Sequence, residues 1–115
     1  MPPTDYSTRI HNPDLLARIT TPEAAAALIK HGMIVGMSGF TKAGDAKVVP
    51  LAMAERAKTD PFQITLITGA SLGHDIDRIL TEAHVLARRM PFQADPTLRQ
   101  AINRGEVMFI DQHLS

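Results

Sequence analysis

The sequence predicts an α/β fold, a mostly parallel sheet with helices on both faces. Three observations carry that reading. Short strand-like runs alternate with helix-like segments in the order α-β-α-β-α-(β)-α-β. Two of the helix-like segments open on a cap residue followed by proline and close on glycine. The two clearest strand-like runs, "MIVGMS" and "QITLITG", carry no charge, as in a sheet covered on both sides.

The elements follow in order. Residues 1–20 read as an arm, punctuated by Pro2, Pro3, Asn12 and Pro13, in which "DLLARI" makes one short helical turn. Residues 21–115 then form one α/β domain. Thr21 is an N-cap, with Pro22 at the first helical position and Glu23 where its charge suits the helix dipole. In "PEAAAALIKHG" the residues Ala25, Leu28 and Ile29 share one face, Lys30 and His31 fill the last turn, and Gly32 stops it. "MIVGMS" is expected to be a buried strand. Pro50 is tolerated only near a helix start, so the next helix begins at Val48 or Val49, and Asp60-Pro61 ends it. "QITLITG", residues 63–69, is the clearest strand. A turn and a helix follow in "ASLGHDIDRILTEAH", with Ile76, Ile79 and Leu80 on one face. "VLARR" reads as a short strand. "DPTLRQAINRG", residues 95–105, has Asp95 as cap, Pro96 behind it and Gly105 as stop, and "EVMFID", residues 106–111, is the last strand. Only four residues follow Asp111, too few for another helix, so the sequence reads as a domain cut short.

Composition narrows the function. The 115 residues are 44% apolar and 21% charged, which suits one globular domain with a core. Twelve basic residues balance twelve acidic ones, so the basic excess of a nucleic-acid binder is missing. With no cysteine there is no disulfide, no thiolate metal site and no cysteine nucleophile. The first twenty residues contain no long apolar stretch of a secretory signal, and no window approaches the roughly 18 apolar residues of a membrane span. The expected location is the cytoplasm, away from membranes.

The stretch "VGMSGFTKAGDAK", residues 35–47, invites a chemical reading. A phosphate-binding P-loop needs GxxxxGK[ST]. Gly39 and Gly44 have that spacing, but Asp45 and Ala46 stand where lysine and a hydroxyl residue belong. A dinucleotide-binding GxGxxG is absent. A nucleophile elbow needs GxSxG, and around Ser38 the second glycine comes one position early. Two readings stay open. Backbone N–H groups at the carboxyl edge of a parallel sheet could hold an oxyanion or a carboxylate, or the glycines simply permit a tight turn. The second strand ends similarly, in Gly69-Ala70-Ser71, where the Ser71 side chain reads first as the cap of the next helix.

Five segments taken together, "ALIKHGMIVGMSGF", "KVVPLAMAERA", "ITLITGASLG", "RRMPFQADPTLRQAINRGE" and "IDQHLS", resemble in order and spacing the N-terminal part of the acetyl-CoA hydrolase / acetate (succinyl-CoA) CoA-transferase family. The resemblance runs from about residue 20 to the end. It implies a partial CoA-transferase-like N-terminal domain of an enzyme that moves CoA between an acyl-CoA and a carboxylate, or to water. It also implies a catalytic glutamate that attacks the thioester and then carries CoA as a glutamyl thioester. Glu23, Glu55, Glu82 and Glu106 match no such motif, so no catalytic residue is assigned within this chain, which is expected to be inactive alone. Gly39 and Phe40 match one family loop, and Gly69 and Ser71 another; the resemblance makes these four the candidates for shaping the acyl or carboxylate pocket. Coenzyme A is then a substrate, and no resident cofactor or metal is implied. The partners expected are an acyl-CoA and a small carboxylate, with a homo-oligomer or a separate chain bearing the catalytic glutamate as further options. The alternative is a stand-alone α/β module that binds CoA or another small molecule without catalysis, or an interaction subunit.

Other residues have two readings each. Arg88, Arg89 and Arg99 could meet CoA phosphates, but ion-paired or solvated arginines are commoner. His74, Asp75 and Asp77 suggest a metal only superficially, because acids at a helix start suit the dipole and adjacent helical positions point apart. His113, just past the last strand, is left without a role.

Overall fold

In the computed structural model, residues 6–41, 43–73, 75–91 and 94–110 are described. Pro2, Pro3, Asp5, His74, Asp111, His113 and the Phe92-Gln93 part of the fourth segment lie outside them. The chain runs α1 (Pro13–Leu16), α2 (Pro22–Ala27), β1 (Ile34–Gly36), α3 (Val48–Ala57), β2 (Ile64–Ile67), α4 (Ile76–Glu82), β3 (Leu86–Met90), α5 (Pro96–Asn103) and β4 (Met108–Phe109). The four strands form one sheet in the order β1-β2-β3-β4, and all three pairings are parallel. The expected α/β class and parallel sheet are therefore found.

One part of the expectation differs. With strands stacked in chain order and right-handed crossovers, every connecting helix falls on the same side. Accordingly α2 packs on α3, α3 on α4 and α4 on α5. Ile64 and Leu66 of β2 point into the core beneath them, with Met53, Leu80, Leu86 and Leu98. Among the described residues the helices thus line one face, not both. The β1 strand also differs: Ile34 is 72% exposed and Gly36 is exposed, so β1 is an edge rather than a buried strand.

Local chemistry explains most boundaries. The Thr21 hydroxyl accepts from the Ala24 amide at 3.1 Å, and the Asp95 carboxylate from the Leu98 amide at 2.8 Å, so both predicted caps close their helices. Gly32 and Gly105 take positive φ, 85° and 79°, where the sequence placed stops. Helix α2 ends earlier than expected, at Ala27, because Arg56 reaches over from α3. Its Nη1 donates to the Ala26 carbonyl at 2.7 Å and the Ile29 carbonyl at 2.6 Å, satisfying the open end. The buried face of α2 is Ala26 with Ile29 packed beside it, while Leu28 points outward at 71% exposure.

Candidate functional site

The carboxyl ends of β1 and β2 lie side by side, and Gly39, Phe40, Gly69 and Ser71 all sit on the segments that leave them. Beyond Ile67 the ladder continues irregularly. The Met37 amide donates to Ile67 O at 2.9 Å, Ala70 to Gly39 O at 3.2 Å, and Thr41 to Ser71 O at 2.7 Å. These bonds bring all four candidates into one small region. Phe40 turns back on itself, its amide and carbonyl both bonded to Ala43 at 3.0 Å, and the residue is 55% exposed.

The glycines are required by crowding. Gly39 has φ 154°, and a Cβ there would stand 2.3 Å from Leu72 Cδ2 and 3.0 Å from Asp45 Oδ1. A Cβ on Gly69 would stand 2.9 Å from the Gly39 carbonyl oxygen. Both residues retain solvent access, and their amides donate to no protein acceptor among the described residues. Ser38 donates its hydroxyl proton to Gly44 O at 2.6 Å, which ties it into the loop. Asp45, the residue that spoils a P-loop, is buried and accepts from the Gly73 amide at 2.9 Å, bracing the first exit against the second.

Ser71 does not cap α4. Its hydroxyl accepts from the Ala94 amide at 3.0 Å, and Asp75, with φ 62°, occupies the cap position without a side-chain capping bond, its carboxylate pairing instead with Arg78 at 3.3 Å. The serine lies beyond the reach of the helix start and links the β2 exit to the segment before α5.

Beneath this region is a pair that sequence reasoning missed. Arg89 of β3 and Asp77 of α4 are fully buried, with Nε to Oδ1 at 2.9 Å and Nη2 to Oδ2 at 3.3 Å. The same guanidinium donates to Met90 O and, at 3.4 Å, to Ala70 O, while Asp77 Oδ2 accepts from the Leu72 amide at 2.9 Å. The pair therefore holds the β2 exit from below by its backbone. Asp77 lies in the first turn of α4, as the helix-dipole reading expected, and also forms this ion pair. Arg89 follows the ion-paired reading, whereas Arg88 and Arg99 are exposed. Spacing could not reveal a partnership between residues twelve apart on a helix and a strand. An aspartate just inside a helix and two adjacent arginines inside a short strand were the visible signals. Among the described residues no set of three or more His, Asp or Glu is arranged to hold a metal, and no helix is long and apolar enough to cross a membrane.

The family model for the acetyl-CoA hydrolase/transferase N-terminal domain matches residues 5–115. The chain belongs to that family. The acetyl-CoA hydrolase/transferase N-terminal domain seen here is 41% identical over 109 residues to a succinyl-CoA:acetate CoA-transferase of Clostridium kluyveri, covering 93% of this chain and 20% of that protein. It is 43% identical over 100 residues to a propanoyl-CoA:succinate CoA transferase of Escherichia coli, covering 83% and 20%. It is 34% identical over 111 residues to an acetyl-CoA hydrolase of Eremothecium gossypii, covering 93% and 21%. This acetyl-CoA hydrolase/transferase N-terminal domain thus spans about a fifth of the length of the curated relatives it matches.

Proposed function

We propose that the chain supplies one wall of the acyl-CoA or carboxylate pocket of an acetyl-CoA hydrolase or acetate CoA-transferase. The observation that carries this is the pair Gly39 and Gly69 at the carboxyl edge of the sheet, which retain solvent access and whose amides donate to no protein acceptor among the described residues, beside the exposed Phe40. Such donors suit a carboxylate or a developing oxyanion. Phe40 would pack on the acyl or pantetheine chain, and Ser71 would hold the exit in place.

The nucleophile in this reading is a glutamate outside the 115 residues. Its carboxylate attacks the thioester carbonyl and expels CoA thiolate, leaving an acyl-glutamyl anhydride. The thiolate then attacks the glutamyl carbonyl and releases the acid, which leaves the glutamyl thioester for water or a second carboxylate to resolve. The exchange is redox-neutral, and CoA enters as substrate. Cytoplasmic location and a role in acetate metabolism belong to the same proposal.

Two measurements test it. The purified chain incubated with acetyl-CoA should release no thiol above the uncatalysed rate; robust turnover would place a nucleophile among these residues. A chimera in which residues 5–115 replace the matching fifth of the Clostridium kluyveri transferase tests the pocket wall. There Phe40→Ala should raise KM for the acyl-CoA about fivefold or more with an unchanged melting temperature. Unaltered kinetics would remove Phe40 from the pocket.

A further inference from the structure

A second group of side chains meets at the opposite edge of the sheet, where the strands begin. His31, Gln63 and His84 stand just before β1, β2 and β3 in turn. Together with Ala57, Phe62 and Ala83 they line a cleft of about 330 Å³. Ala57 and Phe62 are buried core residues, so the floor of the cleft is apolar. Small-ligand pockets have this size and this lining, with a few fixed polar groups that orient the guest. The polar groups here are held in place. His31 Nδ1 accepts from the Gln63 amide at 3.0 Å, and the Gln63 carbonyl accepts from the Gly32 amide at 2.8 Å. Gln63 Nε2 donates to His84 O at 3.4 Å. Because Nδ1 accepts, the His31 ring carries its hydrogen on Nε2, a donor with no acceptor among the described residues. The ring nitrogens of His84 have no hydrogen-bond partner among those residues either, and a neutral imidazole offers one of them as an acceptor.

We infer that this cleft is a small-molecule site in its own right, and that it takes a neutral, planar aromatic with a hydrogen-bond acceptor beside a donor, as in a primary amide. The carbonyl of such a guest accepts from His31 Nε2, its N–H donates to His84, and its ring rests on Ala57, Phe62 and Ala83. Charge excludes the other classes. Helices α3 and α4 both end at the cleft, with Ala57 the last residue of one and Ala83 the C-cap of the other. The carbonyl ends of helices carry partial negative charge, which disfavours an anion. A cation finds no partner, because no acidic residue lines the cleft. The acids close by are already paired: Glu106, which feels the charge of His84, takes two bonds from Arg104 at 3.0 Å, and Asp60 pairs with Arg56 at 3.3 Å. A metal ion fits poorly as well. A metal-bound imidazole donates from its second nitrogen, whereas the second nitrogen of His31 accepts. A flat ring covers the apolar floor with few rotatable bonds to freeze, which keeps the entropy cost of binding low.

Three probes of one shape and different charge test this: benzamide is neutral, benzoate anionic and benzamidine cationic. Each is titrated into the isotope-labelled chain and followed by NMR. Benzamide should shift His31, Gln63, Ala83 and His84 with a millimolar or tighter dissociation constant, as suits a guest of its size, and leave Gly39 and Gly69 unmoved. Benzoate and benzamidine should each bind about fivefold or more weakly. Two variants separate recognition from folding. His31→Asn keeps an acceptor for the Gln63 amide, its Oδ1 standing in for Nδ1, and removes the Nε2 donor. His84→Asn removes the second ring, and asparagine suits the φ of 59° found there. Each should weaken benzamide binding about fivefold or more at an unchanged melting temperature. Should one variant fold poorly, the other decides. The inference is overturned by the lack of a saturable shift at ~20 mM benzamide, by equal affinity for the three probes, or by a charged probe binding tightest. It is also overturned if both variants bind benzamide as the parent does, or if the shifts are confined to Gly39, Phe40 and Gly69. Zinc chloride alone should shift neither imidazole at equimolar concentration; tight zinc binding that displaces benzamide would make the cleft a metal site and overturn it too. No readout here involves acyl-CoA or the strand exits, so this inference and the acyl-CoA reading fail separately.

Discussion

Gly36 and Gly39 are three positions apart and obey opposite rules. At Gly36 a side chain would enter open space, whereas at Gly39 it would collide with Leu72 and crowd Asp45 at a positive φ. Gly39→Ala should therefore cost about 1–3 kcal/mol of stability, while Gly36→Ala should be neutral or stabilising by up to ~1 kcal/mol. Urea unfolding measures both, and equal effects would contradict the steric account. Asp77 and Arg89 make a second contrast. Asp77→Ala leaves a guanidinium buried without its anion and should cost about 3–5 kcal/mol. Replacing both, as Asp77→Leu with Arg89→Met, should recover part of that loss, and a double-mutant cycle on unfolding free energies gives the coupling. A purely additive cycle would mean that the pair does not hold the β2 exit as a unit.

At the level of elements, what the sequence discloses is what neighbouring residues decide. Thr21 and Asp95 were legible as caps because each bonds an amide three residues ahead, and Asp95→Ala should cost α5 about 0.5–2 kcal/mol by thermal unfolding. The end of α2 was not legible, since the donor that completes it, Arg56, lies 27 and 30 residues from the carbonyls it serves. The site divides the same way. Glycine and phenylalanine at a strand exit could be recognised locally, but the bond from Ala94 to Ser71 crosses 23 residues and left no periodic trace. The turn after α5 carries a pH signature. The Glu106 carboxyl is held below its usual range, first by the hydrogen bond from Arg104 at 3.0 Å. A depressed folded value means that its contribution is present above the ordinary glutamate range and is lost as pH falls through the folded value. Both side chains are about half exposed, so the effect is small. Glu106→Gln should lower the melting temperature slightly at neutral pH and not at all in strong acid.

For the whole molecule, one-sided helical cover was the point least legible in the sequence. Strand runs such as "ITLI" look fully buried because their side chains suit both faces, but strand order decides which face is covered, and order is a long-range property. The exposed Met108 has a direct consequence for handling the domain: Met108→Lys should leave the urea midpoint unchanged and reduce turbidity on concentration, as measured by light scattering. The two strand exits have a consequence of another kind. Thr41 donates across to Ser71, Ala70 donates back to Gly39, and Gly73 donates to Asp45. Because the bonds run in both directions between segments about thirty residues apart, neither exit can loosen while the other stays in place. Their amides should exchange with deuterium at one shared rate, as teeth of a single zip, and a small carboxylate resting on either exit should slow exchange on both.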